Sequence, residues 1–342
     1  MNYQEVLEEA RKTIGNYCKA CNICNGKACG NKIPGPGAKG NGDTAIRNYD
    51  EWQKVRVNMD TICASGKVDT STELFGKKFR MPVFAGPVGA VNLHYGEKYN
   101  DLSYNQILLK ACAENGIAAF TGDGTNENVM TSATEAIKEV NGMGVPTVKP
   151  WSKEVVHDKM MMVKESGSFA AAMDIDAAGL PFLKNCVPPA GSKSVEELKE
   201  IISEFTIPFI VKGVITVNGA LKAKEAGAAA IVVSNHGGRV LDQCPATAEV
   251  LSEIVEALKN SGVKILVDGG IRTGVDVFKA LALGADGVLI ARPFVTAVYG
   301  GANEGVKTYI DKIAGELEDA MAMCGAYNIK DITPSMIRIM NR

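Results

Sequence analysis

Residues Pro208 to Arg239 read PFIVKGVITVNGALKAKEAGAAAIVVSNHGGR. Two apolar runs, Pro208 to Val214 and Ala229 to Ser234, flank a stretch with helical spacing, and Gly227 supplies a turn. Short, small and β-branched runs of this kind read as buried strands of a parallel sheet. The second run ends on Ser234-Asn235-His236-Gly237-Gly238-Arg239. An imidazole can take a proton near neutral pH, and a guanidinium can grip a carboxylate with two parallel N–H donors. The glycines between them allow a sharp turn or close approach to a flat ligand. The hexapeptide therefore suggests proton abstraction from a small carboxylic acid; alone, it is equally a sharp turn with a capped histidine.

The same alternation runs outward in both directions. Further apolar runs lie at Pro82–Gly86, Ile117–Thr121, Thr147–Trp151, Phe169–Asp176, Lys264–Asp268 and Gly287–Ala291, with helical stretches such as Ser194–Phe205 and Thr247–Asn260 between runs. Eight strand–helix units in one chain predict an α/β protein of the (β/α)8 barrel type, with a doubly wound sheet as the alternative. In such a barrel the chemistry sits at the C-terminal ends of the strands. Asp123, Lys149, Asp174 with Asp176, Lys212, His236 with Arg239, Asp268 with Arg272, and Arg292 all fall there. Lys212 is the least ordinary, since it lies between Phe209-Ile210-Val211 and Gly213-Val214.

The chain has 342 residues, of which 46% are hydrophobic, enough for a sizeable core. A net charge of −2 gives no reason to expect nucleic acid or an anionic membrane as partner. No uninterrupted apolar segment reaches membrane-spanning length, and Met1–Gly15 is charged and helical in pattern, unlike a signal peptide. These features predict a cytoplasmic location. Residues 1–80 are expected to form an N-terminal extension, and 81–342 the barrel with its C-terminal helices. Within the extension, Met1–Asn16 and Arg47–Thr61 look helical, and Val68–Phe79 resembles a hairpin capping the barrel.

Between those helices lies Cys18-x-x-Cys21-x-x-Cys24-x4-Cys29. Two CxxC steps can bring sulfurs to one point, so an iron–sulfur cluster or zinc is an expectation, with a loose thiol-rich segment as the alternative. The other cysteines, Cys63, Cys112, Cys186, Cys244 and Cys324, read as small apolar side chains. Pro34-Gly35-Pro36-Gly37, with Gly40 and Gly42, cannot form regular structure. It is either a plain connector or a cover over the mouth of the barrel.

Val267-Asp268-Gly269-Gly270-Ile271-Arg272 and Leu289-Ile290-Ala291-Arg292-Pro293 end consecutive strands. Barrel enzymes often bind phosphate after their last two strands, where glycine backbone N–H groups and an arginine can hold the oxygens. A phosphate-bearing cofactor is expected.

SNHGGRVLD (Ser234–Asp242) and DGGIRTGVDVFKALALGADGVLIARP (Asp268–Pro293) together resemble the FMN-dependent 2-hydroxy acid oxidase and dehydrogenase family. The resemblance spans about Thr72 to Tyr299. It implies FMN as cofactor and oxidation of a small 2-hydroxy acid to a 2-oxo acid. His236 would take the hydroxyl proton, Asp174 would orient it, with Asp176 as the fallback, and Arg239 would bind the substrate carboxylate. Lys212 would stand beside the flavin. Gly269, Gly270, Arg272 and Arg292, with Ala291, would hold the phosphate. Asp268 would reach the ribityl chain, Ser234 would lie in the flavin site, and Pro87, Val88 and Gly89 would run along a flavin face. The resemblance also implies a homo-oligomer.

There are departures from the family pattern. Lys149 and Trp151 stand where Gln and Tyr are usual, and Ala172 where a Thr is usual. The Tyr expected from the N-terminal segment has no match. The loop after the fourth strand is short and lacks an extra substrate-binding Arg, for which Lys184 or the backbone would be the substitute. Lys149 could pair with a fourth-strand carboxylate beside the flavin. A cysteine-bound cluster near flavin would favour a dehydrogenase, passing electrons on singly to an unidentified acceptor, over an oxygen-using oxidase. Two other readings differ in what they predict: an isopentenyl diphosphate isomerase-like FMN barrel would not need the His236–Arg239 pair, and a flavin- or metal-binding redox sensor would have no turnover.

Overall fold

The computed structural model describes residues 1–187 and 190–340. Eight parallel strands close into a barrel: β1 (Val83–Ala85), β2 (Ala119–Thr121), β3 (Gly144–Val148), β4 (Ala171–Asp174), β5 (Phe209–Val214), β6 (Ala230–Val233), β7 (Lys264–Val267) and β8 (Gly287–Ile290). Neighbours pair in chain order, and β8 closes the ring on β1 through Val288–Val83, Leu289–Phe84 and Ile290–Ala85. The (β/α)8 expectation holds, and all eight apolar runs contribute a strand.

Side chains two apart along a strand share a face. Phe84, Phe120, Val145, Ala172, Ile210, Val232, Leu266 and Leu289 form one buried cluster inside the barrel. Two residues further on, the same inward face carries Gly86, Gly122, Thr147, Asp174, Lys212, Ser234, Asp268 and Ala291. An apolar floor thus gives way to a layer of small, polar and charged residues at the C-terminal end. Burying each large side chain of that floor contributes about 1.5–3 kcal/mol.

The hairpin Thr72–Leu74 with Lys77–Phe79 seals the opposite end, as its sequence suggests. Leu74 and Phe79 join the interior cluster, and the Phe79 ring meets Phe84 edge-on at 5.1 Å between centroids. The helix Tyr3–Thr13 lies against the long helix Arg292–Met323, which is kinked at Gly301 and Ala302. Gly300 makes that approach possible, because a Cβ there would stand 2.0 Å from the Val6 carbonyl oxygen.

Three boundaries differ from the sequence reading. The second helix is Asp43–Lys54, not Arg47–Thr61, because Val55–Val57 leaves it to pair antiparallel with Ile337–Ile339. β3 starts and ends earlier than Thr147–Trp151, since the Lys149 N–H donates to the Asp123 carboxylate (3.1 Å) instead of to a neighbouring strand. β4 stops at Asp174, and Ile175–Gly179 forms a 3-10 turn.

Residues between the first two helices cross the top of the barrel. There the Lys39 N–H donates to the Gly238 carbonyl (2.8 Å), and the Lys39 ammonium donates to the Gly179 and Val240 carbonyls. Gly238 has φ of +81°, and a Cβ there would stand 2.9 Å from Ala38 Cβ and 3.0 Å from Ala45 N. Gly238→Ala should therefore combine left-handed backbone strain with overlap and destabilise the protein by about 2–4 kcal/mol, read from urea denaturation. A change within about 0.5 kcal/mol would show that the crossing segment does not rest on this glycine.

Candidate active site

A cavity of about 240 Å³ opens at the C-terminal ends of the barrel strands. Of the candidate residues from the sequence, Asp176, Ser234 and the four N-terminal cysteines do not line it; the others do. Gly35 and Pro36 also line it, in keeping with a cover over the mouth, and so do His94 and Tyr95, which carry no signal of a site role in the sequence. Lys184, weighed as a substitute for the missing arginine, does not line it.

His236 sits just past β6 at φ of +56°, followed by Gly237 at +62° and Gly238 at +81°. A left-handed non-glycine residue is strained, and this run turns the imidazole back over the strand end. Its Nδ1 lies 2.9 Å from Asp176 Oδ1, while its Nε2 is 4.0 Å from Asp174 Oδ2. Asp176, not Asp174, therefore orients the ring. The sequence reading placed both carboxylates on one strand face; the 3-10 turn after Asp174 breaks that geometry and swings Asp176 onto Nδ1.

The two carboxyls are pushed in opposite directions. Burial raises Asp174, and the nearby Lys149, His236 and Lys212 offset this only in part. Burial acts the same way on Asp176, but the charge and hydrogen bond of His236, with Lys212 and Lys149, hold it below the ordinary carboxylate range. Asp176 thus stays ionised opposite the imidazole, the arrangement that stabilises an imidazolium.

Asp174 is ion-paired with Lys149 instead. It also occupies the inward position on β4 that faces the cavity, whereas Ala172 lies in the apolar floor below. Asp174, not Ala172, is thus the residue that β4 presents to the cavity, and Lys149–Asp174 is a charged pair inside the site. Lys149 is held from behind by Asp123, whose carboxylate also accepts from Trp151 Nε1 (2.7 Å) and the Lys159 ammonium (2.7 Å).

Lys212, 2% exposed, lies 3.3 Å from Asp268 Oδ2 and donates to Ser234 Oγ (3.1 Å). Burial works against the ammonium, but Asp268, Asp176 and Asp174 outweigh it and raise its pKa. Ser234 is thus corrected from a cavity residue to a support: its hydroxyl accepts from Lys212 and from the His236 N–H (3.1 Å).

Arg239 reaches the cavity with Nη1 donating to the Gly35 and Gly37 carbonyls. Burial brings its pKa down to about 10, which leaves it charged at neutral pH. Arg292 begins the long helix, whose N-terminal end carries a partial positive charge. Its Nη2 donates to the Gly237 carbonyl (3.0 Å). Arg272 also borders the cavity, but its Nε donates to the Cys24 carbonyl (2.7 Å) and its Nη1 to the Ile271 carbonyl (2.6 Å). The helix Asp43–Lys54 fixes this edge from outside. Asn48 and Asn235 exchange amide hydrogen bonds (2.8 and 2.9 Å), and Trp52 Nε1 donates to the Gly269 carbonyl (2.8 Å).

The expected metal ligands Cys18, Cys21, Cys24 and Cys29 do not form a metal centre: among the described residues no three His, Cys, Asp or Glu side chains converge as ligands. The thiols are used otherwise. Cys18 packs on the main hydrophobic core, and burial pushes its pKa up to about 12. The Cys29 thiol donates to the Gly26 carbonyl (3.5 Å).

The residues present fit FMN. Gly269 and Gly270, at φ of +82° and +84°, turn β7 away beside Arg292 and the helix N-terminus, a phosphate environment. Asp268 Oδ1 and Asp174 Oδ1 are buried without a hydrogen-bond partner, so each is free to accept a donor from a bound molecule. Lys212 places positive charge between them.

The comparisons agree. A family model described as FMN-dependent dehydrogenase matches residues 36–181 and 188–339. The peroxisomal (S)-2-hydroxyacid oxidase GLO3 of Arabidopsis thaliana is 30% identical over 87% of this chain and 89% of its own length. The L-lactate dehydrogenase (cytochrome) of Wickerhamomyces anomalus is 30% identical over 86% of this chain and 56% of its own. The solved structure of mandelate oxidase with 3,3-difluoro-2-hydroxy-3-phenylpropionic acid superposes with a TM-score of 0.80 at 25% identity, covering 98% of both chains. With a barrel of this topology, a histidine–carboxylate pair and an arginine at one mouth, and a family match over nearly all of its length, the chain belongs to the FMN-dependent dehydrogenase family, whose members are 2-hydroxy acid oxidoreductases.

Proposed function

We propose that this protein oxidises a small 2-hydroxy acid to the 2-oxo acid, with His236 as the base. The observation that carries this reading is the imidazole held at Nδ1 by Asp176 (2.9 Å) with Nε2 facing the cavity shared with Arg239. FMN, when bound, supplies the two-electron acceptor. Arg239 binds the carboxylate and sets the hydroxyl toward His236. His236 Nε2 takes the hydroxyl proton, and the Asp176 carboxylate stabilises the resulting imidazolium. Lys212 holds positive charge against the cavity floor, where negative charge on a reduced cofactor would need it. Leu180, Phe182 and Leu183 give the cavity an apolar wall, which suits a short carbon side chain.

The acceptor belongs to the same test, because the four N-terminal thiols, whose cluster would favour a dehydrogenase, do not converge as ligands among the described residues. Anaerobic addition of glycolate, lactate and mandelate to the FMN-loaded protein should bleach the flavin bands with at least one acid. Mixing the bleached protein with oxygen or with cytochrome c then separates oxidase from dehydrogenase. Flavin bands that no 2-hydroxy acid bleaches would contradict the proposal and favour a flavin-binding protein without turnover.

His236→Ala should keep its FMN and bleach about 10²–10⁴-fold more slowly, the usual contribution of a positioned base. An unchanged bleaching rate would remove His236 from the reaction.

Asp176 also makes a prediction about stability. Its folded pKa lies below the ordinary value, so its stabilisation is present above about pH 4 and is lost as pH falls through the folded value. The stability gap between wild type and Asp176→Asn, measured by urea denaturation, should be full at pH 6 and shrink below about pH 4. A gap independent of pH would mean that the pairing with His236 does not stabilise the fold.

A further inference from the structure

Arg239 is the cation that would hold a substrate carboxylate, and a second side chain lines the cavity beside it. His94 lies on the short helix Val91–Tyr95 after β1 and lines the same cavity as Arg239, Lys149 and His236. Its Nδ1 accepts a hydrogen bond from the Gly35 N–H (3.0 Å). The carbonyl of that same glycine accepts from Arg239 Nη1. Gly35 therefore ties the two side chains together, one through its N–H and the other through its C=O.

This tie fixes the tautomer. An imidazole nitrogen that accepts from a backbone N–H cannot carry the ring proton, so the proton resides on Nε2. Burial first, then the positive charges of Arg239 and Lys149, lower the His94 pKa to about 3, so the ring is neutral at physiological pH. Nε2–H is thus a permanent donor, and it has no protein acceptor among the described residues. A neutral donor beside a guanidinium adds a directed hydrogen bond without a second buried charge.

We propose that His94 is a substrate-binding residue that completes the carboxylate clamp with Arg239, its Nε2–H and the remaining Arg239 N–H groups each holding one carboxylate oxygen. The segment Pro34–Gly37 is then the part that sets this clamp: it covers the cavity and orients both donors. The assignment rests on the reading that the ligand carries a carboxylate.

Two substitutions separate the donor from the prop. Asn at 94 can place a side-chain oxygen near the Nδ1 position and keep the Gly35 bond, but it loses the Nε2–H. Gln can place an N–H near the Nε2 position and loses the Gly35 bond. Oxalate, a small carboxylate that needs no turnover, is titrated into each FMN-loaded protein, and binding is read from the change in flavin absorbance. His94→Asn should weaken oxalate binding about 10–100-fold, the worth of a hydrogen bond to a charged group, while His94→Gln stays within about threefold of wild type. The reverse order would make His94 a prop for the covering segment and overturn the proposal. Equal weakening in both variants, or no saturable oxalate binding by the wild type, would overturn it too. Because oxalate binding is read without turnover, a failure to bleach with any 2-hydroxy acid would sink the reaction and leave this test standing.

Discussion

The barrel mouth is organised by charge that has been taken out of water. Lys149, Lys212 and His236 stand against Asp174, Asp176 and Asp268 at one barrel mouth, and Asp174 and Lys212 are each only 2% exposed. A charge buried as deeply as that of Asp174 or Lys212 is costly without a partner. Each is held by the others: Lys149 by Asp174, Lys212 by Asp268, His236 by Asp176. Removing one partner of such a pair typically costs about 3–5 kcal/mol, because it strands the other. The fold meets the cost by projecting these residues from consecutive parallel strands, whose shared inward face sets their spacing. Asp174, Asp176 and Asp268 each still have one buried oxygen without a partner. The network is balanced in charge yet open in hydrogen bonds, as a site prepared to receive a ligand must be.

The covering of this mouth comes from the N-terminal segment, one of the two roles its Pro/Gly-rich sequence allows. The loop after β4 is short, and much of the roof is built from the N-terminal segment around Gly35–Gly37, Lys39 and the cysteines. Gly35 and Gly37 reach Arg239, Lys39 reaches the Gly179 and Val240 carbonyls, and the Cys24 carbonyl holds Arg272. The four thiols lie in the same stretch. Their spacing suggested a metal, yet a short segment that must turn tightly over a crowded surface has its own use for small, weakly polar side chains.

How much of this could be read from sequence follows from range. The eight strands were legible because their periodicity is local. Lys212, His236, Arg239, Asp268 and Arg292 were legible because a strand end fixes where its last residues point. The choice between Asp174 and Asp176 was not, since it turned on whether the strand continued for two residues or broke into a 3-10 turn, and the apolar pattern is the same in both cases. His94 and Gly35 were hidden for another reason: they are 59 residues apart and meet only through the folded covering segment. Asn48 and Trp52 were hidden likewise, being on a helix that looks like an ordinary surface helix until it docks on the β6 and β7 loops. The cysteine motif left a metal and a loose thiol-rich segment both open, because spacing alone does not say whether thiols face one another.

The central claim is that His236 acts as a base whose readiness is set by the buried carboxylate at Nδ1. The pH dependence of the first-order rate of anaerobic flavin bleaching in the wild-type protein, at saturating 2-hydroxy acid, tests it most directly. The rate should rise with pH as a single group loses its proton and then level off. A rate that is flat across that range, or that falls as pH rises, would contradict the assignment of His236 as the proton acceptor.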